Sequence, residues 1–138
     1  LVIGFRGYEN SQTALGSGVV VMWNEGGEFV SGNSTALPQS QAMTDLAVLP
    51  RSSGDFSKII VTTRMLRTSG ENQRMSGVFQ YSFEPLSRTY EQPTKLAEAL
   101  NPSQLLVQDM NGNGLTDLAW VDVGRLYFLY AQEGQQKP

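Results

Sequence analysis

The residues best equipped for chemistry lie together in one short stretch, Asp109-Met110-Asn111-Gly112-Asn113-Gly114-Leu115-Thr116-Asp117. Oxygen-bearing side chains recur at loop positions 1, 3, 5 and 9, as Asp109, Asn111, Asn113 and Asp117. Gly112 and Gly114 supply the permissive backbone that a tight loop needs. Alternating oxygens on a turning loop converge on one point, and calcium takes about six to eight such ligands at loosely fixed geometry. The Leu115 carbonyl, at position 7, is the expected backbone ligand. Two of the four side chains are neutral Asn, which lowers the ligand charge and with it the expected affinity. The competing reading is a metal-free hairpin whose Asx side chains bond their own backbone. An EF-hand does not fit, because position 12 is Trp120 rather than a bidentate Glu, and Leu118 to Val123 reads as a strand rather than a helix.

Other chemistry is thinly represented. The chain has no cysteine and no histidine, so disulfides, thiolate zinc sites and Ser-His or Cys-His catalytic pairs are excluded. Any metal must be held by oxygen. Asp117 with Asp122, and Glu25 with Glu28, are the carboxylate pairs open to acid–base work; the first is better used as a ligand and the second sits at an exposed turn. No nucleophile has a base beside it, and no phosphate-cradling loop precedes a helix. We therefore expect a protein that is not an enzyme. Arg51, Lys58, Arg64, Arg67 and Arg74 make the middle of the chain locally basic, as a phosphate site or a solvated flank. Ten basic residues stand against 13 acidic ones, a net charge of −3 that argues against nucleic-acid binding. No apolar run approaches the roughly 20 residues of a membrane span. Asn33-Ser34-Thr35 is a glycosylation sequon, meaningful only after secretion by a eukaryote.

The elements that must position the loop read as strands. Across 138 residues, of which 40% are hydrophobic, short β-branched and aromatic runs alternate with Gly, Ser, Asn and Pro. The expected strands are Leu1 to Phe5, Gly18 to Trp23, Glu28 to Val30, Asp45 to Leu49, Lys58 to Arg64, Gly77 to Phe83, Leu105 to Gln108, Leu118 to Val123 and Arg125 to Ala131. Period-2 alternation in Gly77 to Phe83 puts Phe79, Tyr81 and Phe83 on one side, as a half-buried strand. Asn24-Glu25-Gly26-Gly27 reads as a hairpin turn. Thr94 to Leu100 alone reads as a helix, capped by Thr94 and stopped by Asn101-Pro102. Trp23, Tyr81, Phe83, Trp120, Tyr127, Phe128 and Tyr130 suit core packing more than a sugar-stacking platform. The fold class is all-β.

Short segments recur in order. Ser17-Gly18-Val19 returns as Ser76-Gly77-Val78, an offset of 59 residues. Ala36 to Gln41 resembles Ala99 to Gln104, an offset of 63. Thr44-Asp45-Leu46-Ala47 returns as Thr116-Asp117-Leu118-Ala119, an offset of 72. The rising offsets are explained by a repeat of about sixty residues with an insertion covering Asp109 to Leu115.

The segment Asp109 to Tyr130 resembles an FG-GAP repeat of the VCBS type, as in integrin-α-like β-propellers. The order is an Asp/Asn-Gly loop, then Asp117-Leu118-Ala119-Trp120-Val121, then Gly124-Arg125-Leu126-Tyr127-Phe128. Asp45-Leu46-Ala47-Val48-Leu49-Pro50 is similar to a second start, with Gly77-Val78-Phe79-Gln80-Tyr81 as its later strand. Leu1-Val2-Ile3-Gly4-Phe5 is similar to a third without its leading Asp; Gly18 to Met22 and Gly26 to Phe29 continue it. No metal loop precedes Asp45, where Leu37, Gln39, Gln41 and Met43 hold the ligand positions, so Asp45 is expected to cap a turn. Ser52 to Met75 departs from the pattern and is expected to form an extra hairpin through Lys58 to Met65, a candidate binding surface.

The resemblance implies β-propeller-type blades at 1–43, 44–104 and, in part, 105–138. Roughly four to eight blades close a ring, so this chain is expected to be part of a larger or multi-chain propeller. A strand is already running at Leu1, which favours a piece of a longer one. The resemblance also implies Ca2+ bound at Asp109, Asn111, Asn113, Leu115 and Asp117, an extracellular or cell-surface setting, and recognition of a protein or glycan partner. The alternatives are an accessory propeller of a larger secreted enzyme or toxin, or a lectin whose chains assemble into a ring.

Overall fold

A computed structural model of the chain describes residues 2–5, 18–40, 42–49, 57–65 and 76–134. They form twelve strands and, among the described residues, no helix. Three antiparallel sheets follow one another along the chain. The first contains β1 (Val2–Phe5), β2 (Gly18–Glu25) and β3 (Glu28–Ala36). The second contains β4 (Met43–Val48), β5 (Ile59–Thr63), β6 (Gly77–Tyr81) and β9 (Thr94–Ala97), with the small hairpin β7 (Phe83–Glu84) and β8 (Thr89–Tyr90) between β6 and β9. The third contains β10 (Pro102–Gln108), β11 (Asp117–Asp122) and β12 (Arg125–Leu129). No helix among the described residues is long and apolar enough to cross a membrane.

The middle sheet is buried on both faces, and its alternation explains how. Ile59, Val61, Phe79 and Tyr81 pack on Val19 and Val21 of the first sheet. Ile60 and Val78 pack on Leu118 and Trp120 of the third. Each such side chain contributes about 1.5–3 kcal/mol on burial, so stacking dominates the fold. Gly77 to Phe83 is therefore not half-buried: Val78 is as fully buried as Tyr81. Trp23, Phe83 and Tyr90 close one margin of the first core, with ring centroids 5.6–6.3 Å apart. Tyr81 donates its hydroxyl to the Pro38 carbonyl at 2.6 Å, and burial pushes that hydroxyl upward in pKa.

The first strand of the middle sheet, β4, lies between β1 and β10. Gly4 makes the first approach possible, since a Cβ there would collide with Leu46 and Met43. Asp45 makes the second: its carboxylate accepts from Leu105 N of β10 at 2.9 Å and from its own neighbour Leu46 N at 2.9 Å. Asp45 thus ties two sheets together from within a strand rather than capping a turn.

Three further expectations are corrected. Thr94 to Leu100 is not helical; Thr94–Ala97 pairs with Gln80, Phe79 and Val78 of β6. A helix this short is marginal alone, whereas the open edge of β6 offers backbone partners. Gly77 admits the approach, because a Cβ there would lie 2.5 Å from the Ala97 carbonyl. Lys58 to Met65 is not an extra hairpin but holds β5, an inner strand buried along its whole length. Ser52 to Phe56 and Leu66 to Met75 lie outside the described residues.

The third correction concerns the offsets. Thr44 to Ala47 falls in β4, the first strand of its sheet, whereas Asp117 to Ala119 opens β11, the second strand of another. Strand pairing gives a constant shift instead. Val48 pairs with Ile59 as Val107 pairs with Leu118, and Thr63 pairs with Gly77 as Asp122 pairs with Arg125. Val48 to Val107, Ile59 to Leu118 and Thr63 to Asp122 are each 59 apart, the offset of Gly18 to Gly77. Gly18 opens β2 opposite Phe5, as Gly77 opens β6 opposite Thr63. Asp109 to Leu115 is consequently no insertion: Leu49 to Lys58 spans the same gap in the middle sheet, with Leu49 N bonded to Lys58 O at 2.8 Å.

Candidate metal centre

The loop between β10 and β11 is organised by its first residue. Asp109 Oδ1 accepts from Gly112 N at 2.7 Å and from Asn113 N at 3.2 Å, and Oδ2 accepts from Gly114 N at 2.7 Å. Gly112 and Gly114 have φ of 77° and 82°, left-handed values that L side chains resist. The two amides continue the winding: Asn111 Oδ1 accepts from Asn113 N at 3.1 Å, and Asn113 Oδ1 from Leu115 N at 2.9 Å.

Asp117 holds the other end. It is fully buried, and its carboxylate accepts from Met110 N at 2.9 Å and from Ala131 N at 2.8 Å. The Met110 N–H is the largest influence on this carboxyl, and with the N–H groups of Ala131 and Asn111 it outweighs desolvation and holds the pKa below the ordinary 3.8. Asn113 Nδ2 donates to the Ala131 carbonyl at 3.0 Å. Both backbone groups of Ala131 are thus engaged, and the chain leaving β12 is clamped to the β10–β11 loop.

The structure brings Asp109, Asn111, Asn113, Leu115 and Asp117 into one loop closed by these bonds. Asp109, Asn111 and Asn113 are exposed, Leu115 is half-buried, and Asp117 is buried. The donors suit a hard cation in type. Each carboxylate oxygen takes about two hydrogen-bond donors, and Asp109 Oδ2 accepts one, from Gly114 N. Among the described residues, no group of three or more Asp or Glu comes together that could hold a metal. This loop offers two carboxylates, and the rest of a coordination shell would be amide and carbonyl oxygen.

The remaining candidates separate. Asp122 is buried and accepts from Leu100 N at 3.1 Å and Asn101 N at 2.7 Å, fastening the β9–β10 connection to β11. Both members of the Asp117–Asp122 pair are therefore committed to backbone N–H groups. Lys58 and Arg64 flank the two ends of β5 and do not form one patch; Arg51, Arg67 and Arg74 lie outside the described residues. Asn33 sits within β3 with its amide nitrogen buried, the atom a glycan would need. Trp23, Tyr81, Phe83 and Trp120 are in the cores, while Phe128 and Tyr130 are exposed and stacked at 5.9 Å. Sequence reasoning missed Ala131 and the roles of Asp45 and Asp122. Their partners are backbone groups, which carry no residue-type signal.

Compared with known proteins, the chain matches no family model, no curated protein and no solved structure.

Proposed function

We propose that this chain is a non-catalytic, calcium-stabilised recognition or scaffold module of the β-propeller type, working outside the cell or at its surface on a protein or glycan partner. The carrying observation is the Asp109–Asp117 loop, in which two carboxylates, two amides and the Leu115 carbonyl share one hairpin connection. In this reading the four-stranded β4-β5-β6-β9 sheet is a blade, and the first and third sheets belong to its neighbours. Bound calcium would neutralise Asp109 and Asp117; the loop itself holds β10, β11 and the chain after β12 in register through Ala131. Support for a non-catalytic role comes from the buried carboxylates, which serve as backbone acceptors. The extracellular setting and the partner class rest on the FG-GAP resemblance.

The test is thermal unfolding in EGTA and in millimolar calcium. A ligand that binds only the folded state stabilises it by about 2.7 kcal/mol at a hundredfold excess over Kd. We expect a calcium-dependent rise in Tm that Asp109→Ala abolishes. An identical Tm in both buffers would reduce the loop to an Asx-bonded hairpin.

A further inference from the structure

The third sheet carries an apolar face that no other sheet covers among the described residues. Leu106, Ala119 and Phe128 lie in one row across β10, β11 and β12, and Val121 pairs with Leu126 in the next. Leu118 and Trp120, on alternate positions of β11, face the middle sheet, so this row faces away from it. Leu106 is 48% exposed, Leu126 59%, Phe128 47% and Tyr130 47%, on either side of the buried Ala119. Contiguous apolar patches of this kind mark interaction sites in folded proteins.

The opposite end of the stack carries a matching face. Val19 and Val21 point into the middle sheet, so Val20 and Met22 point away from it. By the 59-residue correspondence they stand where Phe79 and Tyr81 stand in the middle sheet, the positions that receive the preceding sheet. Val20 and Met22 are half-buried, and Ala36, opposite Val20, is exposed.

We infer that the outer face of the β10-β11-β12 sheet binds the outer face of the β1-β2-β3 sheet of a second copy of this chain, head to tail. The occupant follows from continuity. Inside the chain each sheet presents one face to the next, twice over, and the outer faces of the first and third sheets, on which no further sheet packs among the described residues, are the two that would continue the series. Such an interface is heterologous, and it yields a ring if the rotation closes and a filament if it does not.

Sedimentation velocity and native mass spectrometry of the full chain, from roughly 1 to 200 µM, test this. We expect concentration-dependent association, weakened at least about tenfold by Phe128→Glu and equally by Ala36→Glu. Each variant retains one intact face, so mixing the two should give dimers and nothing larger. Both residues are exposed, and circular dichroism with a cooperative melt verifies that each variant is folded; Leu126→Glu replaces Phe128→Glu if it is not. A wild-type chain that stays monomeric throughout overturns the inference. So does Ala36→Glu associating like wild type, which would place the contact between two copies of the third sheet.

Discussion

β6 and β12 hold the same place in two sheets, each paired with the strand that follows its sheet's first. β6 reads Gly-Val-Phe-Gln-Tyr and is buried at every residue except Gln80. β12 reads Arg-Leu-Tyr-Phe-Leu, is the more apolar of the two, and is exposed at all five positions. The difference lies in the neighbours. β6 has β9 along its free edge, the first sheet on one face and the third on the other. β12 has β11 and, among the described residues, nothing beyond it. Apolar composition marks a strand as fit for burial, and position in the stack decides whether burial occurs. An exposed, apolar edge strand is also a template for pairing with another chain.

The largest effect should separate these two strands. Tyr81→Ala empties a fully buried site and removes a hydrogen bond, so urea unfolding should show a loss of about 3–5 kcal/mol. Leu129, its counterpart in register, is 37% exposed, and Leu129→Ala should cost about 1 kcal/mol or less. Equal losses would break the comparison. They would mean that β12 is covered in solution.

A smaller effect compares the two loops. Asp117 opens the second strand of its sheet and Lys58 directly precedes that of the middle sheet, at the 59-residue offset. The folded-state pKa of Asp117 is depressed, so its stabilisation is present above 3.8 and is lost as pH falls through the lower folded value. Asp117→Asn keeps the shape but puts an amide N–H₂ where one backbone N–H must be accepted. Its Tm should fall below wild type at pH 7, and the gap should close as pH drops below 3.8. A gap that persists unchanged into acid would show that the loss is one of packing rather than charge.

The smallest effect is at Lys58 itself. Its ammonium accepts no backbone N–H, and Lys58→Ala, which keeps the carbonyl bonded to Leu49 N, should change stability by no more than about 0.5 kcal/mol in the same unfolding assay.

Much of the loop was legible because its bonds are local. Asp109 reaches Gly112, Asn113 and Gly114 within five residues, and the Asx and Gly types that make such bonds are visible in a linear chain. Asp45 and Asp122 were not legible in this way. Their acceptor roles join them to Leu105 and to Leu100 and Asn101, 60 and 21–22 residues distant. The repeated Thr-Asp-Leu-Ala illustrates the same limit. One copy lies in the first strand of a sheet and the other leads into a second strand, because four residues do not specify which sheet edge they meet.

By itself, then, the sequence determined the all-β class, most of the strand-forming segments, the Asn24–Gly27 hairpin and the oxygen-rich loop. These follow from alternation, turn chemistry and short-range hydrogen bonding. Tertiary structure alone decided that Thr94–Ala97 is a strand, that β5 and β6 are enclosed and β12 is not, and that Asp117 fastens Ala131. Each of those depends on which backbone edge or sheet face arrives from elsewhere in the chain, and pairing energy available at that edge overrides the weak propensity of a short segment.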